Sequence, residues 1–442
     1  MLRADYTPPW ADTSIIGIAG SSGSGKTSLA LEIVSSLNRP WVLILSMDSY
    51  YKYKTPEQIE KAFRNEYDLD APDEIDFDKL VENLRELKKG KKTEIPIYSF
   101  KEHKRQQQTT TLYSPHVLIL EGIFALYDPR VLDMLDVKIF VEADADLCLA
   151  RRLTRDVLER GRDLEGIIKQ WFAFVKPNAE LYVNPQRKGA DILVPRGIDN
   201  KVAIDMVAQH VQRILMDKSV KHRAELKRLG QEVEDEPLSP NVLLMKETPQ
   251  LAGMNTIIQD QESDQEDFIF YFDRLSTLLI ESALEDIHVR SVKVETPQGT
   301  KYQGLQPAGE TSAVIILRGG SAFEPALKRV IPDCRTGRIL IQSSHKTGEP
   351  ELHYRTLPAD ISTHDAVLLL DPQMSSGGAA LMAVKVLVDH GVKEENIVLV
   401  TYFAGKVGLN RLSRVFPEIK IVVGRLVGDE EERWVEKRYF GC

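Results

Sequence analysis

Cysteine is scarce in this chain. Three thiols occur in 442 residues, Cys148, Cys334 and Cys442, far apart and in no C-x-x-C arrangement. Such spacing supports neither a disulfide framework nor a zinc site, and it suits a reducing compartment. Positive charge is also in deficit: 57 Lys and Arg stand against 66 Asp and Glu, a formal net charge of -9. A surface of that balance does not displace phosphate counterions, so no nucleic-acid partner is expected. No run approaches the roughly 20 apolar residues that cross a bilayer, residues 1–13 lack an apolar signal core, and a cytoplasmic protein with no membrane partner is expected. Internal repeats and low-complexity tracts are missing as well. So is a guanine-reading Asn-Lys-x-Asp, because Asn200-Lys201 is followed by Val202-Ala203, which counts against a nucleotide-gated switch.

What is present is apolar enough, at 43% hydrophobic, to bury more than one core, since single cores stop growing at roughly 250–300 residues. Two domains are expected. The strongest local pattern is Gly20-Ser21-Ser22-Gly23-Ser24-Gly25-Lys26-Thr27, a full match to G-x-x-x-x-G-K-[ST]. The apolar run 15–19 enters it as a buried strand, and Leu29, Ala30, Ile33, Val34 and Leu37 leave it at helical spacing. In that setting the loop amides and helix N-terminus from Gly20 to Ser28 face a polyphosphate. Lys26 reaches the β- and γ-phosphates, and the Thr27 hydroxyl is a ligand for Mg2+. ATP and Mg2+ are the expected cofactors.

Four more strand-like runs follow in the first half. Residues 41–46 end at Asp48, which an open parallel sheet would deliver to the phosphate site, where a carboxylate can accept the proton of an attacking hydroxyl and lie near Mg2+. Taken alone, Asp48 reads equally well as a helix cap. Residues 117–120 end at Glu121, in position to hold Mg2+. Runs at 137–141 and 191–194 complete the set. Residues 95–100 alternate, so Tyr98 and Phe100 share a face with His103 just beyond; that face suits base stacking or ordinary core. Arg151, Arg152, Arg155, Arg160 and Arg162 lie on and beyond one helix. Charged helices are usually solvated, but guanidiniums arrayed this way also form the lid over a transferring phosphoryl group.

Taken in order, Ser-Met-Asp48-Ser-Tyr-Tyr51, Asp70-x-Pro, Ile-Pro-x-Tyr98-x-Phe100-x-x-His103, Glu121-Gly, Arg-Arg152-x-x-Arg155-Asp, Glu-Arg160-Gly-Arg162-Asp and Gln170-Trp-Phe resemble uridine-cytidine kinase over residues 14 to about 216. The resemblance implies that ATP phosphorylates uridine or cytidine at the 5′-hydroxyl, with Asp48 as base and Lys26, Arg152 and Arg155 facing the phosphates. It further implies that Tyr51 lines the active site, Asp70 and Arg160 clasp the ribose, Tyr98 and His103 meet the pyrimidine edge beside Phe100, and Arg162 and Gln170 complete the pocket. Leu69 stands where that family commonly has an aromatic. A homo-oligomer, commonly a tetramer, and inhibition by pyrimidine triphosphates are also implied.

Residues 230–262 turn acidic and proline-bearing and read as a mobile connector between a domain at 14–229, preceded by a tail at 1–13, and another at 263–442. The second half begins with a helix at 268–284 and carries strand-like runs at 313–317, 338–341, 366–370 and 396–400 alternating with helices, which indicates a second parallel α/β domain. In it Asp371-Pro-Gln-Met-Ser375-Ser376-Gly377-Gly378 follows a buried strand and opens a helix, a pattern that fits a monophosphate cradle or a plain turn.

With Ile-Leu-Arg318-Gly-Gly and the terminal Lys437-Arg-Tyr-Phe-Gly-Cys, this stretch resembles uracil phosphoribosyltransferase over 263–442, a type I phosphoribosyltransferase-like α/β domain. Asp371, Ser375, Ser376, Gly377 and Gly378 then correspond to the loop that holds the 5′-phosphate and ribose of phosphoribosyl pyrophosphate. Three departures stand out. Ser376 replaces the usual threonine, the Arg-Asp pair of active enzymes is missing around residues 343–347, and the uracil-reading Pro-Gly-x-Gly-Asp-x-Gly-Asp is replaced near 427–434. Losing those donors should cost several kcal/mol of transition-state stabilisation, so little phosphoribosyltransferase activity is expected, with the domain kept for assembly or a regulatory ligand. The alternative is a bifunctional salvage enzyme.

Overall fold

The computed structural model describes residues 3–196, 200–285, 287–343, 350–429 and 431–441. The chain divides into two compact units, one of residues 9–220 and one of residues 1–8 with 221–442.

In the first unit the strands are β1 (Ser14–Gly20), β2 (Val42–Ser46), β3 (Thr93–Ser99), β4 (Lys104–Leu112), β5 (Val117–Glu121), β6 (Val137–Glu142) and β7 (Ile192–Pro195). Five form one sheet in the order β2-β5-β1-β6-β7, every pairing parallel. β3 and β4 make a separate antiparallel hairpin. The runs are apolar without interruption because both sheet faces are covered. Ile16, Ile18, Val117 and Ile119 pack on one face with Leu29, Ile33, Val207 and Val211 from helices. Ile15, Ala19, Leu118 and Leu120 point to the other, where Leu80, Leu84, Phe124 and Val131 cover them. This alternation is the two-residue period of a strand.

β1 lies between β5 and β6, so the chain must leave the sheet and return. The carboxyl ends of β1, β2 and β5 therefore lie side by side, with Glu121 in register with both Ser46 and Ile18. Ligands of open α/β sheets bind at such a break in strand order.

The second unit contains β8 (Val242–Leu244), β9 (Val289–Glu295), β10 (Lys301–Pro307), β11 (Thr311–Leu317), β12 (Arg335–Ser343), β13 (Pro350–Thr356), β14 (Ala366–Leu370), β15 (Gln373–Met374), β16 (Ile397–Gly405) and β17 (Lys420–Val427). The main sheet runs β13-β12-β11-β14-β16-β17-β8, with β15 also on β16. The expected all-parallel sheet is corrected at one edge: β13 pairs antiparallel with β12. β9 and β10 form their own hairpin. The core gathers Phe268, Phe272, Leu275 and Leu279 from helix Gln265–Leu284 against Ala313, Ile315, Leu368 and Val400 of the sheet.

The expected connector at 230–262 is also corrected. Val242–Leu244 adds an edge strand to β17, and helix Pro249–Gln259, capped by Thr248, buries Leu251, Met254 and Ile258 in the second core. Its acidic and proline residues occupy the turns before these elements, which is why composition alone read as a linker. Of the expected tail, residues 3–13 are described. Tyr6 Oη and His222 Nε2 lie 2.8 Å apart within the second unit, and Trp10 is fully buried in the first. No helix among the described residues is long and apolar enough to cross a membrane.

Candidate functional site

The loop after β1 folds as it does because two glycines take conformations that side chains avoid. Gly23 has φ 84° and Gly25, which caps helix Lys26–Leu37, has φ 101°. A Cβ on Gly23 would overlap the carbonyl of Cys148, so the loop lies directly against helix Ala145–Leu158. Ser22, Lys26 and Thr27 line one cleft, and the Lys26 ammonium donates to the Ser21 carbonyl at 2.9 Å. Burial lowers the Lys26 pKa, while Glu121 and Asp48 pull it back up. Gly20, Ser21, Gly23, Ser24 and Gly25 make up the rest of the loop, and Ser28 lies in helix Lys26–Leu37 outside the cleft lining.

Asp48 and Glu121 reach the same cleft from the ends of β2 and β5. Asp48 opens a short helical turn, its N–H donating to the Ser46 hydroxyl at 3.4 Å. Burial raises its pKa, and the nearby Glu121 charge raises it further against the pull of Arg160 and Lys26. A carboxylate held above its usual range is a better proton acceptor near neutral pH. Thr27, Asp48 and Glu121 together offer a hydroxyl and two carboxylates whose mutual repulsion a divalent cation would relieve, an oxygen donor set suited to Mg2+.

One wall of the cleft is aromatic. Tyr51 and Tyr98 have ring centroids 4.9 Å apart, and Phe100 meets Tyr98 edge-on at 5.2 Å. Among the described residues, the Tyr98 hydroxyl is buried with no hydrogen-bond partner. Leu69 and the buried Asp70 also line the cleft. Burial raises the Asp70 pKa, with Arg152 pulling the other way from 3.8 Å.

The cationic wall comes from helix Ala145–Leu158 and the loop after it. The Arg152 guanidinium donates to Ser22 Oγ at 3.0 Å and to Gln170 Oε1 at 2.7 Å, an oxygen that also accepts from Arg162 at 3.1 Å. Arg160 lies over Phe100, its guanidinium carbon 3.9 Å from the ring centroid, a cation–π arrangement. Gln170 ends helix Leu164–Gln170 just before a π turn at Trp171–Val175, a local irregularity often found where a side chain must be aimed.

The second loop has the same backbone device and a different occupant. Gly377, φ 76°, caps helix Gly378–Asp389, and Ser375 and Ser376 precede it. The Ser376 carbonyl accepts from Arg411, and the Asp371 carboxylate, 1% exposed, is bound by Arg433 of the same chain. Gln373 fastens that segment in place, accepting from the Trp434 N–H at 2.9 Å and donating to the Glu432 carbonyl at 2.7 Å.

Residues 15–203 match the phosphoribulokinase/uridine kinase family, and residues 245–431 match uracil phosphoribosyltransferase. A mouse protein named uridine-cytidine kinase-like 1 is 46% identical over 432 residues, which is 95% of this chain and 78% of the mouse protein. The uridine kinase of Saccharomyces cerevisiae is 41% identical, covering 99% of this chain and 90% of the yeast protein. The uridine kinase of Schizosaccharomyces pombe is 42% identical, covering 99% and 97%. The chain belongs to the uridine kinase family.

Within this uridine kinase family member, the cleft gathers every nucleoside-pocket residue expected from sequence except one. His103 lies off the cleft, buried, with its ring edge-on to Phe63 at 4.9 Å. Burial, with help from Arg162 and Lys54, lowers its pKa to about 4, so the ring is neutral at ordinary pH. Sequence reasoning missed Asp156. This residue is fully buried, and Arg152, Arg155, Arg160 and Arg162 all lie within 4 Å of its carboxylate. An acid directly following Arg155 in an arginine-rich segment was the available signal. In the second unit, residues 344–347 of the stretch expected to lack an Arg-Asp pair lie outside the described residues.

Proposed function

We propose that the chain phosphorylates uridine and cytidine at the 5′-hydroxyl with ATP, giving UMP and CMP, and that its second unit has little phosphoribosyltransferase activity. The observation that carries this reading is the single cleft in which Asp48, Lys26 and the lid arginines face an aromatic wall. The curated relatives named uridine kinase and uridine-cytidine kinase-like support the choice of nucleoside.

In this mechanism a nucleoside enters with its base against Tyr51, Tyr98 and Phe100, and the unpartnered Tyr98 hydroxyl hydrogen-bonds the base edge. Asp70 and Arg160 hold the ribose hydroxyls, while Arg162 and Gln170 close the pocket. Asp48 takes the proton from the 5′-hydroxyl as it attacks the γ-phosphorus of ATP in line, and the bond from that phosphorus to the β–γ bridging oxygen breaks so that ADP leaves. Lys26, Arg152 and Arg155 stabilise the charge spread over the equatorial oxygens, the main task in phosphoryl transfer. Mg2+, held by Thr27, Glu121 and Asp48, would neutralise polyphosphate charge. His103 is neutral and packed on Phe63.

For the second unit, the supporting observation is Arg433 bound to Asp371, the acid that would otherwise face a ribose. A bifunctional enzyme is the competing reading, favoured by the family match over 245–431. Assembly into a homo-oligomer and binding of a regulatory ligand are the roles proposed for this unit.

One assay pair tests both parts: UMP formation from uridine with ATP and Mg2+, and from uracil with phosphoribosyl pyrophosphate, using the full chain and Asp48→Asn. The first reaction should be strong and depend on Asp48, and the second should be near background. Uracil-dependent UMP unaffected by Asp48→Asn would establish the bifunctional reading.

A further inference from the structure

We infer that Asp156 is a positioning residue for phosphoryl transfer: its buried carboxylate draws four guanidiniums into their working arrangement before any nucleotide arrives. The inference rests on the kinase reading above. Asp156 Oδ1 accepts from Arg155 Nε at 2.8 Å and lies 3.4 Å from an Arg160 nitrogen. Its Oδ2 lies 3.3 Å from Arg162 and 3.7 Å from Arg152. The carboxylate is fully excluded from water, whereas the Arg155 side chain is 33% exposed.

Four like charges crowded at one edge of a cleft repel each other and, left to themselves, swing outward into water. A single carboxylate at their centre reverses that preference. Burial alone would make the carboxylate hard to ionise, but the four cations, Arg160 foremost, outweigh it and hold the pKa below the usual range. The acid is therefore charged throughout the working pH range. Four guanidiniums against one carboxylate leave a surplus of positive charge, and Arg152, Arg155, Arg160 and Arg162 all line the cleft.

The geometry also links the two halves of the reaction. Arg152 reaches the phosphate loop through Ser22, Arg160 lies on the Phe100 ring, and Arg162 and Arg152 share Gln170. One anchor thus sets the phosphate side and the nucleoside side together. Preorganised charge of this kind costs no reorganisation at the moment of transfer, and it counts most in the transition state. Removing it should therefore lower kcat more than it weakens substrate binding.

The test uses the full chain as wild type, Asp156→Asn and Asp156→Glu. Uridine phosphorylation is measured as kcat and KM, pyrophosphate binding by calorimetry, and the melting temperature for each protein. Asparagine keeps the size and removes the charge. Asp156→Asn should lower kcat about 100-fold, raise the uridine KM less than about fivefold and weaken pyrophosphate about tenfold, and Asp156→Glu should recover about tenfold of the lost rate. A kcat within twofold of wild type in Asp156→Asn overturns the inference, as does a glutamate variant no better than asparagine. Should Asp156→Asn fail to fold, Asp156→Glu decides: kcat about tenfold down at unchanged KM supports positioning, and wild-type kcat overturns it. A wild-type chain that makes no UMP defeats the kinase reading instead, and the pyrophosphate arm then still decides whether Asp156 arranges the arginines.

Discussion

The two units each end a buried strand in a glycine-capped helix, and they use the ending differently. In the first, Gly25 at φ 101° caps the helix that begins with Lys26, and the cations nearby face an open cleft. In the second, Gly377 at φ 76° caps the helix that begins with Gly378, but the acid of that loop is already bound by Arg433. The same backbone that suits a phosphate cradle in one place is tied to arginines of its own chain in the other. A turn that can receive an anion says where a ligand fits; whether the cations and acids beside it are free decides whether one is used.

The largest effect that sharpens this contrast should come from the first loop. Asp48→Asn and Lys26→Ala are each expected to cut kcat/KM for uridine by at least about 10^3-fold, since in the proposed mechanism one removes the base and the other a phosphate-facing cation. A loss under tenfold in steady-state assays would erase the distinction between the two loops.

Gly23→Ala should follow, with ATP-dependent turnover down on the order of 100-fold. The new Cβ must both adopt φ 84° and displace the Cys148 carbonyl. A matching Gly377→Ala in the second unit should leave uridine turnover within about twofold while lowering the melting temperature.

The pH profile sharpens the comparison further. In the proposed mechanism Asp48 acts as its carboxylate, and in the free protein burial with the Glu121 charge raises its pKa, so kcat/KM should fall toward acid along a limb lying above the ordinary carboxylate range, about 3.9. A rate flat down to pH 4 would show that no such base is used.

Arg433→Ala breaks the fastening in the second unit. It should leave uridine turnover within about twofold, give no UMP from uracil and phosphoribosyl pyrophosphate, and cost about 1–3 kcal/mol of stability in denaturant titration, because Asp371 is left buried and unpaired. Appearance of uracil-dependent UMP would mean that Arg433 alone silences the domain.

The smallest expected effect belongs to His103. Its folded pKa of about 4 lies below the usual 6.5, so the unfolded chain binds the proton more tightly. The stability carried by the neutral ring is full above pH 6.5 and is lost as pH falls from there through 4. Discounted for solvent screening, the loss at the acid end is on the order of 1 kcal/mol. His103→Gln should flatten that part of the stability profile, measured by urea denaturation at several pH values.

Much of this was legible from local pattern. A glycine loop after a buried run, acids at the ends of β2 and β5, and alternating Tyr98 and Phe100 are short-range signals, and each landed on the cleft. His103 did not, because a left-handed backbone at that residue, φ 48°, turns the ring toward Phe63, and spacing alone does not report such a turn. Asp156 escaped notice since its importance lies in the convergence of arginines from a helix and from the loop beyond it. In the second unit six strands were missed: β8 and β15 have only three and two residues, β9 and β10 are mostly exposed, β13 is more than half polar, and β17 is interrupted by Gly424 and Arg425. The stretch 230–262 misled because its acidic and proline residues were read as a connector, although Val242-Leu243-Leu244-Met245 is an apolar run and Leu251, Met254 and Ile258 fall at helical spacing.

That last segment has a practical consequence. β8 closes the rim of the larger sheet by pairing with β17, Val242 opposite Ile421 and Leu244 opposite Val423, while the helix after it shields aromatic residues of the core. A shortened chain starting at residue 263 would leave β17 with unsatisfied amides along an apolar border and strip the cover from Phe272 and Tyr402. Strands bared in this way recruit one another, so such a fragment should precipitate where one starting at 221 stays dispersed.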